Sequence, residues 1–306
     1  MSIVIPELTI FAPAKVNLHL AVKDLRRDGF HNLESIFLSL DFGDTLHFTP
    51  VSNEKKSEIS MEWEDDQAAC AIPSEKNIIF KALFLYMEKT GFGRRFNVKV
   101  EKRIPSGGGL GGGSSDAAAA LLALNELSGG LPNRCGLLEI AACLGSDVPF
   151  FIHRAAAAWV TGRGECIRPL DIPRIFLVLV NPGFPSGTAA AFRLLDEYRV
   201  SETFNEDQSP HIENIFNNTG SSGSWFFESL ESGAFRNDFL PVFKDPEKSV
   251  YVKIISMLRE TGAVFAGLSG AGSTCFGVFG EMERAQKAAA ILRGNWPFVK
   301  CCASFS

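Results

Sequence analysis

The stretch PSGGGLGGGSSDA, residues 105–117, places six glycines in the seven positions 107–113. Before it, FNVKV (96–100) alternates apolar and polar residues, which is the pattern of a half-buried β-strand. After it, AAAALLALNEL (117–127) is a strong helix former that is soon followed by two glycines. Glycines let backbone N–H groups approach a ligand closely, and a helix N-terminus favours anions. The order of strand, glycine loop and helix therefore predicts a phosphate-binding turn rather than an interdomain linker.

The glycine loop does not fit the two commonest nucleotide-binding patterns. Gly107, Gly109 and Gly112 satisfy GxGxxG, but a run so rich in glycine satisfies it almost by necessity. A dinucleotide fold also places this loop in its first βα turn, whereas two predicted strands and a helix already precede it here. A P-loop needs Lys-Ser or Lys-Thr after the last glycine, and neither is present. We therefore expect a nucleotide loop of a third type.

Composition limits the class of protein. A chain of 306 residues that is 46% hydrophobic predicts two packed domains. The sequence shows neither a signal peptide nor a run of ~20 apolar residues, so we expect a cytoplasmic protein without membrane contact. Seven cysteines without a CxxC pair predict reduced thiols rather than disulfides or a zinc site. The net charge of −5 disfavours nucleic acid but allows a local pocket for an anionic metabolite.

The chain predicts an α+β protein with mixed helices and mainly antiparallel strands. We place an N-terminal domain at residues 1–165, which holds the glycine loop, and a C-terminal domain at 166–306. The boundary precedes the apolar run IFLVLV (175–180), which is typical of a buried strand and is followed by a predicted turn and helix. Residues 200–236 are rich in Ser, Asn, Gly and Glu and predict a surface insertion, with a mobile lid as the alternative.

Three motifs in order carry a resemblance to a known family. APAKVNLHL (12–20), the glycine loop and GLSGAGST (267–274) resemble the three motifs of the GHMP kinases, which include galactokinase, homoserine kinase and mevalonate kinases. Further stretches resemble those GHMP kinases that phosphorylate 4-diphosphocytidyl-2-C-methyl-D-erythritol. These stretches are RRDGFHNLES (26–35), FGDTL (42–46), GSDVPFF (145–151), NPGFPSGTAAAF (181–192) and NDFLP (237–241). The likeness covers nearly the whole chain except stretches near 51–74 and 200–236.

The resemblance implies a fold and an activity. The fold would be the two-domain GHMP kinase fold, with an N-terminal domain like ribosomal protein S5 domain 2 and a C-terminal ferredoxin-like α/β sandwich. The activity would be transfer of the ATP γ-phosphoryl group to the 2-hydroxyl of 4-diphosphocytidyl-2-C-methyl-D-erythritol, in the non-mevalonate route to isoprenoids. Mg²⁺ would accompany ATP and be held mostly by phosphates. The partner would be this small-molecule substrate, and the chain would be a monomer or a homodimer.

The resemblance also implies the site residues. Lys15 and Asp147 would be the catalytic pair. The residues expected to bind ATP are Lys102, Pro105, Ser106, Gly107, Gly108, Gly109, Leu110, Gly111, Gly112, Gly113, Ser114 and Ser115. The residues expected to bind the diphosphocytidyl substrate are Asn17, Phe30, His31, Thr188 and Phe192. The rings of Phe30 and Phe192 would flank cytosine, and His31 would read the edge of the base. Phe30 replaces the tyrosine common in this family, which keeps stacking but removes a phenol hydrogen bond.

Some of these residues and motifs also fit structural roles or other functions. Asp147 precedes Pro149 and could be a helix N-cap, and Lys15 alone would suggest a surface lysine at a strand end. A kinase for another small alcohol, such as homoserine, should lack the DGFH turn and the pair Thr188 and Phe192. An NAD-dependent oxidoreductase would need an acidic ribose partner, and a serine hydrolase has only the near miss GLSGA (267–271). A non-catalytic nucleotide-binding protein would not need both Lys15 and Asp147.

Overall fold

A computed structural model describes residues 6–51, 58–63, 77–201 and 224–306, and the chain divides into two compact units. Unit 1 is drawn from Met1–Ala14, Phe42–Pro105 and Gly111–Ala155. Unit 2 is drawn from Lys15–Asp41, Ser106–Leu110 and Ala156–Ser306. The long strands β1 (Leu8–Leu25) and β2 (His31–Val51) pair with each other and contribute residues to both units. The sequence from Ala14 to Val22 alternates apolar and polar residues, which predicts a half-buried strand, but all of these residues are buried in β1 because Lys15, Asn17 and His19 also face the interior.

The sheet of unit 1 is built on the second half of β2. Residues 45–51 of β2 pair antiparallel with β4 (Arg95–Lys102), which in turn pairs parallel with β3 (Glu58–Trp63). Phe96, Val98 and Val100 of β4 are buried while the residues between them are mostly exposed. The alternation in the sequence therefore predicted this strand and its buried face correctly.

Helices of unit 1 pack around a central helix rich in alanine. The four helices described here are α1 (Ile78–Thr90), α2 (Gly112–Leu127), α3 (Arg134–Leu144) and α4 (Val148–His153). The alanines at 117–120 of α2 are all buried, because their small side chains let the neighbouring helices approach closely. The helix begins at Gly112, five residues before the alanine run, so the last two glycines and both serines of the motif belong to its first turns.

The main sheet of unit 2 is antiparallel in the order β10-β7-β9-β8. Its strands are β7 (Phe176–Asn181), β8 (Phe265–Leu268), β9 (Cys275–Phe279) and β10 (Phe298–Ala303). The helices described in unit 2 are α5 (Thr188–Ser201), α6 (Ser224–Glu231), α7 (Glu247–Glu260) and α8 (Met282–Leu292). Val178, Val180 and Leu258 lie in the shared core of this sheet and its helices.

A second strand group in unit 2 includes the first half of β2. Residues 33–38 of β2 pair antiparallel with β5 (Ala157–Gly162), and β5 pairs antiparallel with β6 (Cys166–Leu170). The boundary expected between residues 165 and 166 falls between these two paired strands. As a domain boundary it stays a prediction.

The expected insertion at 200–236 is only partly within the described residues. Residues 202–223 lie outside them, so the surface insertion and the lid both stay predictions. Further along, Trp225 and Phe226 of α6 are buried, and Phe226 packs against Phe235. In the described part of the chain no helix is both long enough and apolar enough to cross a bilayer. The six cysteines described there are all free thiols.

Candidate active site

The carbonyl groups of the glycine loop in unit 2 are tied to neighbouring segments. The carbonyl oxygens of Gly107 and Gly108 accept hydrogen bonds from the backbone N–H of Ser186 (3.0 Å) and Thr274 (3.1 Å). The carbonyl of Gly109 accepts from the Ser269 hydroxyl at 2.9 Å. The next carbonyl, at 110, accepts from the backbone N–H at position 15 at 2.9 Å. Four consecutive carbonyls are thus held by the protein.

The amide groups of the same loop are used differently. Within the described residues, no backbone N–H group at 106–110 is paired with the segments that hold the carbonyls. Consecutive amides with their carbonyls held away form the kind of surface that binds phosphate oxygens. The loop in unit 2 therefore has the donor set of an anion site.

Two glycines of the loop are required by its backbone. Gly107 and Gly109 have φ of 65° and 75°, a conformation that side chains rarely adopt. A Cβ at Gly109 would lie 2.2 Å from the Ser269 carbonyl oxygen, and one at Gly107 would lie 2.9 Å from Cβ of Pro185. The loop therefore sits directly against the turn at 267–274, and the third sequence motif supports the second.

Lys15 is buried in unit 2 and held by an amide. Its Nζ donates to Asn17 Oδ1 at 2.6 Å and lies 4.5 Å from the ring centroid of Phe37. Asn17 makes two further hydrogen bonds, from its Nδ2 to Ser35 Oγ at 2.9 Å and from its backbone N–H to Ser269 Oγ at 3.2 Å. Lys15 is 4% exposed, so it is not a surface lysine. Asn17 orients Lys15, and its expected contact with substrate stays a prediction.

The start of α2 in unit 1 supplies further donors. Gly111 is its N-cap residue with φ of 71°, and the first amides of any helix lack partners inside it. Ser115 Oγ is buried and has no hydrogen-bond partner among the described residues. An orphaned buried hydroxyl next to a helix N-terminus suits a phosphate oxygen or a cation that travels with it.

Lys102 of unit 1 lies in an interior ion cluster. Its Nζ donates to Asp44 Oδ2 and, at 2.6 Å, to Asp116 Oδ2. All three side chains are at least nine-tenths buried. The other Asp44 oxygen accepts from the backbone N–H groups of Arg103 (2.5 Å) and Ile104 (2.9 Å), directly before the glycine loop. Lys102 therefore anchors the strand that leads into the loop, and its expected contact with ATP stays a prediction.

Two carboxylates and one ammonium in this cluster leave an excess negative charge. Burial raises the pKa of Asp116 from 3.8 to about 7; Lys102 opposes the rise, and Asp44 adds to it. Burial alone would lower the pKa of Lys102, but the two carboxylates outweigh it and raise that pKa. Near neutral pH the cluster thus holds a charged lysine, and a proton on Asp116 relieves the excess charge.

Asp147 is the residue before α4 in unit 1. It has φ of −84° at the N-cap position, and its side chain makes no capping hydrogen bond. Pro149 follows within the first turn, which explains why the helix begins here. The capping alternative therefore does not account for the carboxylate, which is partly exposed.

The residues expected to hold the cytosine lie in unit 2 and partly contact one another. The imidazole of His31 stacks on the ring of Phe192, with centroids 5.2 Å apart and planes at 15°. Its Nε2 lies 2.9 Å from Asp196 Oδ1. Phe192 also meets Phe239 edge-on, with centroids 4.9 Å apart. The structure thus brings His31 and Phe192 together and adds Asp196.

The remaining two substrate candidates are exposed. Phe30 is 51% exposed, and the Arg163 guanidinium lies 5.0 Å from its ring centroid. The tight turn before it is closed by a hydrogen bond from the Arg26 N–H to the Phe30 carbonyl at 2.7 Å. Thr188 is the first residue of α5 and precedes Phe192 by four positions, so both lie on one face of the helix. Their binding roles stay predictions.

Sequence reasoning missed several residues that organise the site. Asp44, Asp116, Ser269 and Asp196 support candidate residues through hydrogen bonds. Three of them stand inside the quoted stretches FGDTL, GGGSSDA and GLSGAGST, which was the available signal. Asp196 carried no signal, because its partner His31 is 165 positions away.

Comparisons with known proteins identify two family domains, one that contains the glycine loop and one that contains the turn at 267–274. Residues 77–155 match the GHMP kinases N terminal domain, and residues 226–297 match the GHMP kinases C terminal domain. The chain is 38% identical to the 4-diphosphocytidyl-2-C-methyl-D-erythritol kinase of Thermodesulfovibrio yellowstonii, over 94% of this chain and 95% of that protein. It is also 38% identical to the chloroplastic enzyme of Arabidopsis thaliana, over 89% of this chain and 67% of that protein.

Solved structures agree with the sequence comparison. A crystal structure of 4-(cytidine 5'-diphospho)-2C-methyl-D-erythritol kinase is 30% identical, with a TM-score of 0.74 over 98% of this chain and 100% of that one. The homoserine kinase of Cytophaga hutchinsonii has a TM-score of 0.62 at 17% identity, which shows the α+β fold of GHMP kinases alone. Because both GHMP domains match and the identity extends along nearly the whole of this chain and of the Thermodesulfovibrio yellowstonii enzyme, this chain belongs to the 4-diphosphocytidyl-2-C-methyl-D-erythritol kinase family of GHMP kinases.

Proposed function

We propose that the chain transfers the γ-phosphoryl group of ATP to the 2-hydroxyl of 4-diphosphocytidyl-2-C-methyl-D-erythritol, releasing ADP. This reaction is a step of the non-mevalonate route to isoprenoids. The observation that carries the proposal is the 38% identity to a kinase of this name over 94% of the chain. The glycine loop, whose four carbonyls at 107–110 are held by neighbouring segments, supports it physically.

The loop amides would bind the phosphate oxygens of ATP. Backbone N–H groups are suited to this because they are fixed in place by the tied carbonyls and need no reorganisation during transfer. Phosphoryl transfer through a loose transition state depends mainly on positioning and on charge stabilisation. A rigid loop of this kind supplies both.

Lys15 and Asp147 would be the catalytic residues. Asp147 would accept the proton of the 2-hydroxyl, and because a carboxylate is a much weaker base than an alkoxide, it would do so late in the reaction. Lys15, whose Nζ is already oriented by Asn17, would offset the negative charge of the transferring group. The proton passes from the hydroxyl oxygen to the carboxylate as the new O–P bond forms.

The residues present fit a magnesium ion that is bound together with ATP. Across the described residues, no group of three or more His, Cys, Asp or Glu side chains could hold a metal ion alone. Ser115 Oγ, buried and without a partner in that part of the chain, is an oxygen ligand of the type Mg²⁺ accepts. Bound Mg²⁺ would neutralise charge on the phosphates, which would be its main ligands.

The cytidyl group would be held by the cluster around His31. Phe30 and Phe192 offer aromatic faces for the base, and His31 lies against Phe192 with its ring nitrogens fixed. Thr188, one helical turn before Phe192 and on the same face of α5, would contact the same substrate. Phe30 stacks without the hydrogen bond of a phenol.

The alternative proposal is a GHMP kinase for another small alcohol. The fold similarity to homoserine kinase favours it only at the level of architecture. A substrate without a base would have no group for the aromatic cluster of His31, Phe192 and Phe239 to bind.

A substrate panel tests the proposal. ADP release from Mg-ATP is measured with 4-diphosphocytidyl-2-C-methyl-D-erythritol, homoserine and mevalonate as separate acceptors. We expect turnover with the cytidyl acceptor and none above background with the other two. Turnover with homoserine alone would overturn the substrate assignment while leaving the GHMP kinase chemistry in place.

A further inference from the structure

The geometry around His31 assigns a role to Asp196. We propose that Asp196 is a positioning residue that keeps the hydrogen of the His31 imidazole on Nε2, so that Nδ1 accepts a hydrogen bond from the 4-amino group of a cytosine base. Nε2 and Asp196 Oδ1 are 2.9 Å apart. This proposal rests on the proposed cytidyl substrate. The lone pair on Nδ1 would distinguish cytosine from uracil.

The tautomer follows from the chemistry of the two groups. An ionised carboxylate only accepts hydrogen bonds, so the hydrogen between Asp196 and the imidazole must belong to Nε2. In a neutral imidazole the other nitrogen then carries a lone pair and is an acceptor. Carboxylates that fix the tautomer of a histidine in this way are common where histidine binds a ligand.

The orientation of the ring is fixed as well as its tautomer. Stacking on Phe192 sets the plane of the imidazole, and the hydrogen bond to Asp196 sets its rotation within that plane. The His31 side chain is only 6% exposed, whereas Asp196 is 48% exposed. The hydrogen bond therefore restrains a buried ring from a half-exposed helix position.

A single helix carries both restraints. Phe192 and Asp196 stand four residues apart on α5, so their side chains lie on one face of the helix. Phe192 is itself fixed by its edge-on contact with Phe239. Any shift of this helix would move the stack and the hydrogen bond together, which makes α5 the element that sets the geometry of base recognition.

The expected consequence is discrimination between pyrimidines. Cytosine presents a donor, its 4-amino group, where uracil presents an acceptor, its 4-oxo group. A lone pair on Nδ1 attracts the first and repels the second. Leaving a polar group unpaired in a binding site weakens binding by about 10- to 100-fold, which is the preference we expect for the cytidyl ligand.

Three variants separate positioning from general structure. Asp196→Ala removes the acceptor, Asp196→Asn keeps an oxygen that accepts from Nε2, and Glu197→Ala changes the next carboxylate on α5, which lies 3.9 Å from Arg193. CDP and UDP are the binding probes, measured by calorimetry on the full chain. For Asp196→Ala we expect CDP affinity and the CDP-over-UDP preference to fall about tenfold, with KM for the cytidyl substrate rising and kcat nearly unchanged. Asp196→Asn should retain most of both values, and Glu197→Ala all of them.

Nitrogen-15 NMR of histidine-labelled protein reads the tautomer directly. We expect the His31 signals of a neutral ring with hydrogen on Nε2 in the wild type and a mixture of tautomers in Asp196→Ala. Hydrogen on Nδ1, or on both nitrogens at neutral pH, overturns the inference. Unchanged CDP and UDP affinities in Asp196→Ala also overturn it, while the wild type still phosphorylates the cytidyl substrate. A wild type that turns over no cytidyl substrate instead overturns the proposed function, and with it the base-reading role.

Discussion

Replacing Asp116 with asparagine should change how the stability of the protein depends on pH. Asp116 is 2% exposed and shares Lys102 with Asp44, so ionising it adds a second buried negative charge to one ammonium. Asparagine has the shape of the protonated aspartic acid and keeps an oxygen for Lys102. The variant Asp116→Asn should therefore behave like a wild type whose Asp116 is permanently neutral.

The magnitude follows from the pKa of Asp116. Its value is raised in the fold from 3.8 to about 7 by burial, so between these two pH values the folded state binds a proton that the unfolded state has lost. The contribution of Asp116 to stability therefore falls as pH rises from about 4 to about 7 and is constant outside that window. The difference between the two pKa values corresponds to about 4 kcal/mol.

Urea unfolding at several pH values measures this effect. The difference in unfolding free energy between Asp116→Asn and the wild type should be about 1 kcal/mol at pH 4.5 and should reach about 4 kcal/mol in favour of the variant at pH 8. Asp171→Asn, at an exposed aspartate, is the matched control and should show no such trend. A variant that is less stable than the wild type by the same amount at every pH would refute the reasoning, because Asp116 would then be ionised throughout.

Three further substitutions test the glycine loop and its anchor. Gly109→Ala should lower the free energy of unfolding by more than about 2 kcal/mol and weaken ATP binding, because φ is 75° and the new Cβ would lie 2.2 Å from the Ser269 carbonyl oxygen. Gly130→Ala is the control, since Gly130 also has positive φ but has open space around it. It should lower the free energy of unfolding by only about 1–2 kcal/mol in the same urea assay. Ser269→Ala should cost about 1–3 kcal/mol and raise KM for ATP more than it lowers kcat, since it leaves the Gly109 carbonyl without its donor; an unchanged KM would contradict this. Lys102→Met should lower the free energy of unfolding by about 3–5 kcal/mol at pH 8, because it leaves two buried carboxylates without their ammonium. The double variant with Asp116→Asn should be more stable than Lys102→Met alone. Equal stability of the two would mean that the carboxylates do not repel each other.

The fold was largely predictable because its elements repeat local patterns. The alternation at 96–100 predicted β4, and the helix-forming run at 117–127 predicted the body of α2. The start of α2 was less predictable. Glycine has low helix propensity, so the sequence favoured a start at the alanines, but the helix begins at Gly112, directly after Gly111, whose φ of 71° lies outside the helical region.

The parts of the site that lie in short sequence motifs were predictable, whereas the partners of buried charges were not. The turn with Ser269 was visible as a motif, and the structure shows why, since it holds Gly109 and Asn17 by hydrogen bonds. Lys102 was expected near the nucleotide, but its charge is satisfied by Asp44, 58 positions earlier in the chain. Periodicity carries no information about such distant pairs, and the partner of a buried charge becomes visible only once the strands are paired.

Phosphorus-31 NMR of the reaction product tests the central claim most directly. Wild type and Asp147→Asn are each incubated with Mg-ATP and 4-diphosphocytidyl-2-C-methyl-D-erythritol, and ATP binding is confirmed for both. We predict a new phosphomonoester signal on the 2-oxygen for the wild type, formed about 10²- to 10⁴-fold more slowly by the variant. An ATP-binding wild type that forms no such product, or a variant that forms it at the wild-type rate, would contradict the assignment of substrate or of base, respectively.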